Sequence, residues 1–265
     1  MLDTHVEAVA PEAILATWRT DGYARLGRIL DDDRLDALRA RSEAIMLGQV
    51  VLPGLFFQLD AATGRYDDLE HGKGWNGPSL AYRKIEKLER DDLFRTLVDE
   101  PRFAPVIQGV YPLAEHIAIY RAILMTKPSS GGTPLPWHQD GGQFWGLDRE
   151  PSCQIWTALD DAPLDGGCLE VVPGSHQPGL ATPLGGVVPR ALVEASGADA
   201  RSVSLPARAG EAILLHNHLW HRSGRSETGR IRRAFSVCYL DGATRCLRKK
   251  GTPRVFFRAF DGPRT

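Results

Sequence analysis

The sequence predicts a mainly β protein with additional helices: an antiparallel jelly-roll barrel that carries an N-terminal helical layer. Up to Tyr111 helical patterns dominate, whereas from Ile117 onward the chain consists of short segments rich in β-branched and aromatic residues, separated by Gly/Pro turns. No repeat, low-complexity tract or linker interrupts the chain. We therefore expect a single domain over residues 1–265, with the helical layer at about 11–112 and the barrel at about 117–242.

The first half of the chain yields four predicted helices. One begins near Pro11 and stops at Gly22, and a short strand, 23–26, follows it. The segment "DDDRLDALRARSEAIML" has an aspartate at the N-cap position and helical spacing of its apolar residues. Two further short helices are expected in "DDLFRTLVDEPRFAPVIQGVY". Residues 52–78, rich in glycine and aromatic residues, are expected to be irregular and to have a functional role.

The second half yields the strands of the barrel, and these are "IAIYRAILMTK", "CQIWTALDD", "CLEVVPG", "EAILLHN" and "RRAFSVCYL". Pro173 and Gly174 occupy the positions that a type II turn favours. Residues 177–208, rich in Gly, Pro and Ala, are predicted to be an insertion between strands that acts as a lid.

Bulk composition excludes several classes of protein. A net charge of −1 argues against a nucleic-acid surface. No apolar stretch reaches membrane-spanning length, and no secretory signal is visible, so a cytoplasmic monomer or homodimer is expected. The four cysteines show no metal-binding spacing and are expected to be reduced, with Cys153, Cys168 and Cys238 buried.

A metal site is suggested by His138 and Asp140 in "PLPWHQDGGQFW", because residues two apart on a strand point to the same face. The pair needs a third ligand, and the histidines downstream are His216, His218 and His221. These three could form a zinc site of their own or could be structural. Alternatively, one of them completes a two-histidine, one-carboxylate triad, which holds non-haem iron and leaves coordination positions open.

An inward-facing arginine could anchor a dicarboxylate whose other end chelates the metal. Arg232 shares its strand face with small residues (Ala234, Ser236, Cys238) that suit a barrel interior, whereas Arg233 shares its face with the packing residues Phe235, Val237 and Tyr239. Arg232 is therefore the predicted anchor, and a solvated strand edge is expected for Arg230 and Arg233.

The blocks "HQDGG", "LDDAPLDGGCLEVVPGSH" and "GEAILLHNHLWHRSG" with "RRA" following, in this order, resemble the phytanoyl-CoA dioxygenase family of Fe(II)/2-oxoglutarate oxygenases. The resemblance runs from the first helix to about Leu240. It implies a double-stranded β-helix barrel, with Fe(II), 2-oxoglutarate and dioxygen as cofactor and cosubstrates. It also implies that His138, Asp140 and His221 are the iron ligands and that Arg232 binds the distal carboxylate of 2-oxoglutarate.

The same resemblance implies secondary contacts. Ser223 matches a family hydroxyl on that carboxylate, Trp156 matches a tryptophan lining the cosubstrate pocket, and Lys84 aligns loosely with a lysine near the cosubstrate. For Trp156 ordinary core packing is the alternative, and for Lys84 a place on a helix surface or in a loop is favoured. Where relatives often carry an asparagine after "HxSG", this chain has "RSET".

The presence of Asp140 favours oxygenation over halogenation, since related halogenases replace this carboxylate with a small residue. Hydroxylation, or another result of hydrogen abstraction such as desaturation or ring formation, is expected, with release of succinate and CO2. Substrate contacts are predicted at Gln143, Phe144 and Trp145 and in the 52–78 segment. A group of basic residues could receive a small, anionic substrate, although a solvated basic tail is favoured for them: Arg245, Arg248, Lys249, Lys250 and Arg254.

Two other functions remain open at this point. One is a cupin-like metalloenzyme that uses the triad without 2-oxoglutarate. The other is a non-catalytic jelly-roll binding protein whose histidines are structural.

Overall fold

The computed structural model describes residues 10–129, 132–248 and 254–263. The helices in these ranges are α1 (Pro11–Asp21), α2 (Asp32–Met46), α3 (Asp92–Val98), α4 (Ala104–Val110), α5 (Arg190–Ser196) and α6 (Ala198–Arg201). The strands are β1 (Tyr23–Arg28), β2 (Phe56–Leu59), β3 (Tyr82–Glu86), β4 (His116–Lys127), β5 (Leu135–Gln139), β6 (Cys153–Ala158), β7 (Leu169–Val171), β8 (Gly186–Val187), β9 (Val203–Leu205), β10 (Glu211–His216), β11 (His221–Ser223), β12 (Arg232–Asp241) and β13 (Phe257–Asp261).

The strands form two antiparallel sheets. The larger has eight strands in the order β1-β10-β6-β12-β4-β3-β2, with β13 pairing β4 beside this path, and the smaller has five in the order β8-β5-β11-β7-β9. Alternation along each strand gives the larger sheet one face toward the smaller sheet and one face toward the helices. The architecture is therefore a sandwich of two sheets with a helical layer on one side.

Two hydrophobic clusters follow from this layering. The cluster beneath the helices joins α1 to α4 to the outer face of the larger sheet, and its members include Leu15, Trp18, Phe94, Phe235 and Tyr239. The cluster between the sheets takes Trp156 and Ala234 from the larger sheet and Leu169, Val171 and Leu205 from the smaller one. The parity expected along β12 is thus observed, with Ala234 inside and Phe235 outside.

The predicted helices are present with the capping expected of them. Helix α1 ends where Gly22 adopts a φ of +84° and its N–H donates to the Trp18 carbonyl over 2.8 Å. Helix α2 begins at Asp31, whose side chain accepts a hydrogen bond from the Arg34 N–H. The predicted 173–174 turn is also present, since Gly174 has a φ of +75° and the Ser175 N–H donates to the Val172 carbonyl.

Four details differ from the sequence predictions. Besides the predicted strand β1, the helical layer contains β2 and β3, which also extend the larger sheet, and β2 lies inside the 52–78 segment that was predicted to be irregular. The 177–208 segment is more than an insertion, since β8 and β9 form the two edges of the smaller sheet. Arg233 is buried rather than solvated, because it pairs with Asp160 and Glu43 over 2.7 Å each. Local sequence patterns do not show these long-range pairings.

Two further expectations concern the chain as a whole. Cys153, Cys168 and Cys238 are buried free thiols, as predicted. In the described part of the chain, no helix is both long and apolar enough to cross a membrane.

Candidate metal centre

Two imidazoles meet where β5 and β11 pair. His138 and His221 are register partners in the smaller sheet, and their ring centroids lie 3.9 Å apart. Asp140 follows β5 directly, and its Oδ2 lies 3.6 Å from Nε2 of His221. One ligand atom from each of the three lies within 4.8 Å of the others, and this is the group of potential metal ligands found among the described residues.

Backbone carbonyls set the orientation of both imidazoles. Nδ1 of His138 lies 2.9 Å from the Pro136 carbonyl, and Nδ1 of His221 lies 2.8 Å from the Leu219 carbonyl. A carbonyl oxygen can only accept, so each Nδ1 carries the proton and each Nε2 keeps its lone pair. Carbonyls that hold histidine ligands in this way are the usual outer partners of a metal site. Two imidazole nitrogens and one carboxylate oxygen are also the donor set of non-haem Fe(II), so the residues fit this ion.

Hydrogen bonds from the larger sheet hold the carboxylate of Asp140. Arg121 Nη2 donates to Oδ1 and Gln154 Nε2 donates to Oδ2, each over 2.6 Å. Ser236 Oγ in turn donates to Gln154 Oε1 over 2.8 Å. Burial alone would raise the pKa of Asp140, but the charge of Arg121, with the hydrogen bond from Gln154, holds it well below its usual range. The carboxylate is thus ionised and fixed in position at neutral pH.

Burial also controls the protonation of His138. It lowers the pKa of this imidazole to about 3, and the nearby His221 adds to the effect. The neutral form, which is the form that binds metal, is therefore present at neutral pH.

A second polar region of the interior surrounds Arg232. Its guanidinium is buried, Nη2 donates to the Gly167 carbonyl over 2.8 Å, and Nε has no partner among the described residues. Burial lowers the pKa of Arg232 to about 10, so it stays charged at neutral pH. Lys127 is its register partner on β4, and burial, followed by the charge of Arg232, holds the pKa of Lys127 well below its usual range. A buried guanidinium with an unused N–H, beside a buried lysine, suits a carboxylate as ligand.

Other residues that the sequence singled out lie around this interior. Ser223 is buried on β11, two residues beyond His221, and Trp156 is 2% exposed between the sheets. Lys84 lies on β3 opposite Met125, so the favoured placement on a helix surface or in a loop was wrong. Its Nζ lies 2.8 Å from the carboxylate of Glu86.

The three residues predicted to face substrate do not share one environment. Phe144 is 72% exposed, and Gln143 is also at the surface. Trp145 is buried, stacks on Tyr120 with ring centroids 4.4 Å apart, and lies beneath the Arg121 guanidinium at 4.5 Å.

His176, His216 and His218 form a second group of rings, none of which belongs to the His138–Asp140–His221 cluster. His216 lies 5.2 Å from the ring of Trp18, 4.7 Å from that of His176 and 5.4 Å from that of His218. A zinc site of His216, His218 and His221 is not among the ligand groups found in the described residues.

Sequence reasoning missed Arg121, Gln154 and Lys127. A signal was present for two of them, because Arg121 and Lys127 are charged residues in the largely apolar strand β4 and share one face.

Of the basic residues near the C-terminus, Arg245 pairs with Asp148 over 3.1 Å, and Lys249 and Lys250 lie outside the described residues.

Known proteins resemble this chain in sequence. A family model described as Phytanoyl-CoA dioxygenase (PhyH) matches residues 18–234. The peroxisomal phytanoyl-CoA dioxygenase of Mus musculus is 26% identical over 248 residues, which cover 89% of this chain and 70% of that protein. Phytanoyl-CoA dioxygenase domain-containing protein 1 of Mus musculus is 26% identical over 160 residues, which cover 58% of this chain and 54% of that protein.

Solved structures resemble it in fold. A crystal structure of EctD from S. alaskensis with 2-oxoglutarate and 5-hydroxyectoine superposes with a TM-score of 0.71 at 20% identity, covering 98% of this chain and 87% of that one. The epimerase SnoN, in complex with Fe3+, alpha ketoglutarate and nogalamycin RO, gives a TM-score of 0.68 at 20% identity, covering 97% and 96%. At these identities the likeness concerns the fold, and the predicted jelly-roll architecture with additional helices is confirmed.

Proposed function

Since the chain belongs to the phytanoyl-CoA dioxygenase (PhyH) family, as its motifs predicted, and is a non-haem iron, 2-oxoglutarate-dependent oxygenase, we propose that it hydroxylates a small organic substrate, or oxidises it by another form of hydrogen abstraction, and releases succinate and CO2. One observation carries the proposal. A two-histidine, one-carboxylate group and a buried guanidinium with an unused N–H belong to the same sandwich of strands.

The three ligands would hold Fe(II) through Nε2 of His138, Nε2 of His221 and a carboxylate oxygen of Asp140. The bound metal with dioxygen supplies the oxidising power, and three protein ligands leave positions for 2-oxoglutarate and dioxygen. The chain orients both imidazoles through hydrogen bonds from Nδ1 to backbone carbonyls, and it keeps the carboxylate ionised. These side chains therefore need no rearrangement when the metal binds.

The far carboxylate of 2-oxoglutarate would bind at Arg232, with Ser223 and Lys127 beside it. Arg232 offers the unpaired Nε, and a carboxylate can accept from two guanidinium N–H groups at once. Lys127 supports the proposal because it is the register partner of Arg232 and is equally buried. Trp156 would exclude water from this end of the interior, and Lys84 is one strand further away, opposite Met125.

The substrate would enter over the loop that follows Asp140. Gln143 and Phe144 are exposed there and are proposed to contact it. Trp145 would act indirectly, since it is buried beneath Arg121.

The test is an anaerobic titration of the protein with Fe(II) and 2-oxoglutarate, followed by a screen for succinate release across small acids, phosphonates and acyl-CoA compounds. We expect the weak visible charge-transfer band of a metal-bound 2-oxo acid in the wild type and its loss in Asp140→Ala. His218→Asn is a matched control, because His218 is close in sequence to His221 and is outside the ligand group. It should keep the band.

Three results would contradict the proposal. Absence of the band in the wild type would leave a non-catalytic binding protein as the alternative. Turnover of substrate without succinate, or activity that survives loss of Arg232, would indicate a cupin-like enzyme that does not use 2-oxoglutarate. Full turnover of 2-oxoglutarate by Asp140→Ala would show that the carboxylate ligand is wrongly assigned.

A further inference from the structure

We propose that Arg121 recognises an anionic group, a carboxylate or a phosphoryl group, on the substrate of this site. The inference rests on the function proposed above and specifies the chemical class of the substrate. It concerns a residue that sequence patterns did not single out.

Arg121 lies in the interior with much of its hydrogen-bonding capacity unused. It shares the inner face of β4 with Lys127, and Nη2 donates to Asp140. Its Nε and Nη1 make no hydrogen bond to any of the described residues, and 21% of the side chain is exposed. A guanidinium carries five N–H groups, so most of the donors of Arg121 remain available.

Arg233 shows what a structural arginine in this fold looks like. Its Nε and Nη2 donate to Asp160 and its Nη1 donates to Glu43, and the side chain is 7% exposed. All three nitrogens of Arg233 are used within the protein. Arg121 lies on the opposite, inner face of the same sheet, and only one of its nitrogens is used.

An aromatic stack fixes the plane of the Arg121 guanidinium. Its Cζ lies 4.5 Å from the centroid of Trp145, and Trp145 stacks on Tyr120 at an interplanar angle of 11°. The guanidinium of Arg254 lies over the Tyr120 ring at 4.7 Å. A guanidinium that is already oriented loses less conformational entropy when it binds an anion with two parallel hydrogen bonds.

The charges around this stack favour an anion. Glu86 lies 2.8 Å from Lys84, and its pKa is lowered by Lys84, Arg121 and Arg254 against the opposing effect of burial. These three cations are matched by three carboxylates, Glu86, Glu89 and Asp140. A divalent metal adds further positive charge, which the keto-acid end of 2-oxoglutarate offsets only in part. Excess positive charge in a partly dry site attracts anions and disfavours cations.

Three probes of similar size test the proposal: phenylacetate, phenylphosphonate and the neutral phenylacetamide. Calorimetric binding to the anaerobic protein, loaded with Fe(II) and saturating 2-oxoglutarate, avoids turnover and keeps the Arg232 pocket filled. We expect the wild type to bind at least one anion about ten-fold or more tightly than the amide. Whether the carboxylate or the phosphonate binds better identifies the anion.

Variants of Arg121 then test whether this residue causes the preference for anions over the amide. Arg121→Gln also removes a hydrogen bond to Asp140, so it is measured at an Fe(II) concentration that restores the charge-transfer band. Under that condition it should lose the preference and retain its affinity for the amide, and Arg121→Lys should keep part of the preference. Arg149→Gln is the control, because Arg149 is exposed and pairs with Asp241 away from the metal ligands. It should behave as the wild type.

Three outcomes overturn the inference. The first is that a wild type that shows the charge-transfer band binds neither anion more tightly than the amide. Failure of that protein to bind any of the three probes counts as the same outcome. The function proposed above would then still stand. Another is a full preference in Arg121→Gln. The last is loss of the band in that variant at every Fe(II) concentration, which would make Arg121 a residue that only positions Asp140. Absence of the band in the wild type would refute the proposed function itself.

Discussion

Replacing Arg232 by methionine should make the protein more stable and worse at binding 2-oxoglutarate. Burial lowers the pKa of this guanidinium from its ordinary value to about 10. A difference of one in pKa corresponds to about 1.4 kcal/mol, so burial disfavours the charged side chain by about 3 kcal/mol. Methionine removes this cost and leaves the Gly167 carbonyl unpaired, which costs about 1–2 kcal/mol. The net gain in the free energy of unfolding is about 1–2 kcal/mol.

The two expected effects are measured separately. In the absence of cosubstrate, the melting temperature should rise by roughly 2–6 °C for a chain of this size. The KM for 2-oxoglutarate, followed by succinate release, should rise about a hundred-fold or more, because two charge-assisted hydrogen bonds to its carboxylate are lost.

Arg233→Met is the matched control on the adjacent residue. Its loss leaves Glu43 without its cation and Asp160 with Arg39 alone, so the free energy of unfolding should fall by about 2–4 kcal/mol while the KM for 2-oxoglutarate stays unchanged. The reasoning would be refuted if Arg232→Met melted as low as Arg233→Met, or if its KM stayed within two-fold of the wild type.

Three further predictions concern the surroundings of the site. Gln154→Leu removes a hydrogen bond to Asp140 and should lower Fe(II) affinity about ten-fold in a competition titration, with unchanged circular dichroism; equal affinity would contradict it. Burial, with the neighbouring imidazoles, lowers the pKa of His216 to about 3, so below pH 6.5 the unfolded chain binds a proton that the folded chain does not. The free energy of unfolding should therefore fall by up to about 1.4 kcal/mol per pH unit from 6.5 toward 3, and His216→Phe should show a smaller slope in urea titrations. Gly142→Ala should destabilise the protein by about 1–3 kcal/mol, because φ is +88° and a Cβ there would overlap backbone of the facing loop, whereas Gly74→Ala, in open space, should be neutral.

Local patterns in the sequence were sufficient for helices α1 to α4, for strands β1, β4, β6, β7, β10 and β12, and for two of the three residues that meet at the metal centre. His138 and Asp140 could be paired because the period of a strand is two, and the same parity selected Arg232 over Arg233. The structure brings His138, Asp140 and His221 together, and Arg232 lies on the inner face, as parity required. Which histidine completes the group came from resemblance to a family and not from spacing.

Residues whose role depends on cross-strand register were not predictable in this way. Arg121 and Lys127 reach the interior because β4 pairs with β12 and β3, and no local pattern indicates that pairing. Arg233 looked like a residue of a solvated edge because its partners, Asp160 and Glu43, are distant in sequence. Strands β2 and β3 were missed for the same reason, since a strand near the edge of a sheet is specified largely by the neighbour it joins.

The hydrogen bonds to Asp140 have a mechanical consequence. Both imidazoles belong to the five-stranded sheet, whereas Arg121, Gln154 and Ser236 hold the carboxylate from the eight-stranded sheet. All three ligands therefore come from the smaller sheet, and a bound ion would be coupled to the larger sheet through the hydrogen bonds that Asp140 accepts. Metal affinity should then report on the spacing of the sandwich, so that enlarging or emptying the core between the sheets, far from any ligand, changes the rate at which the ion is released.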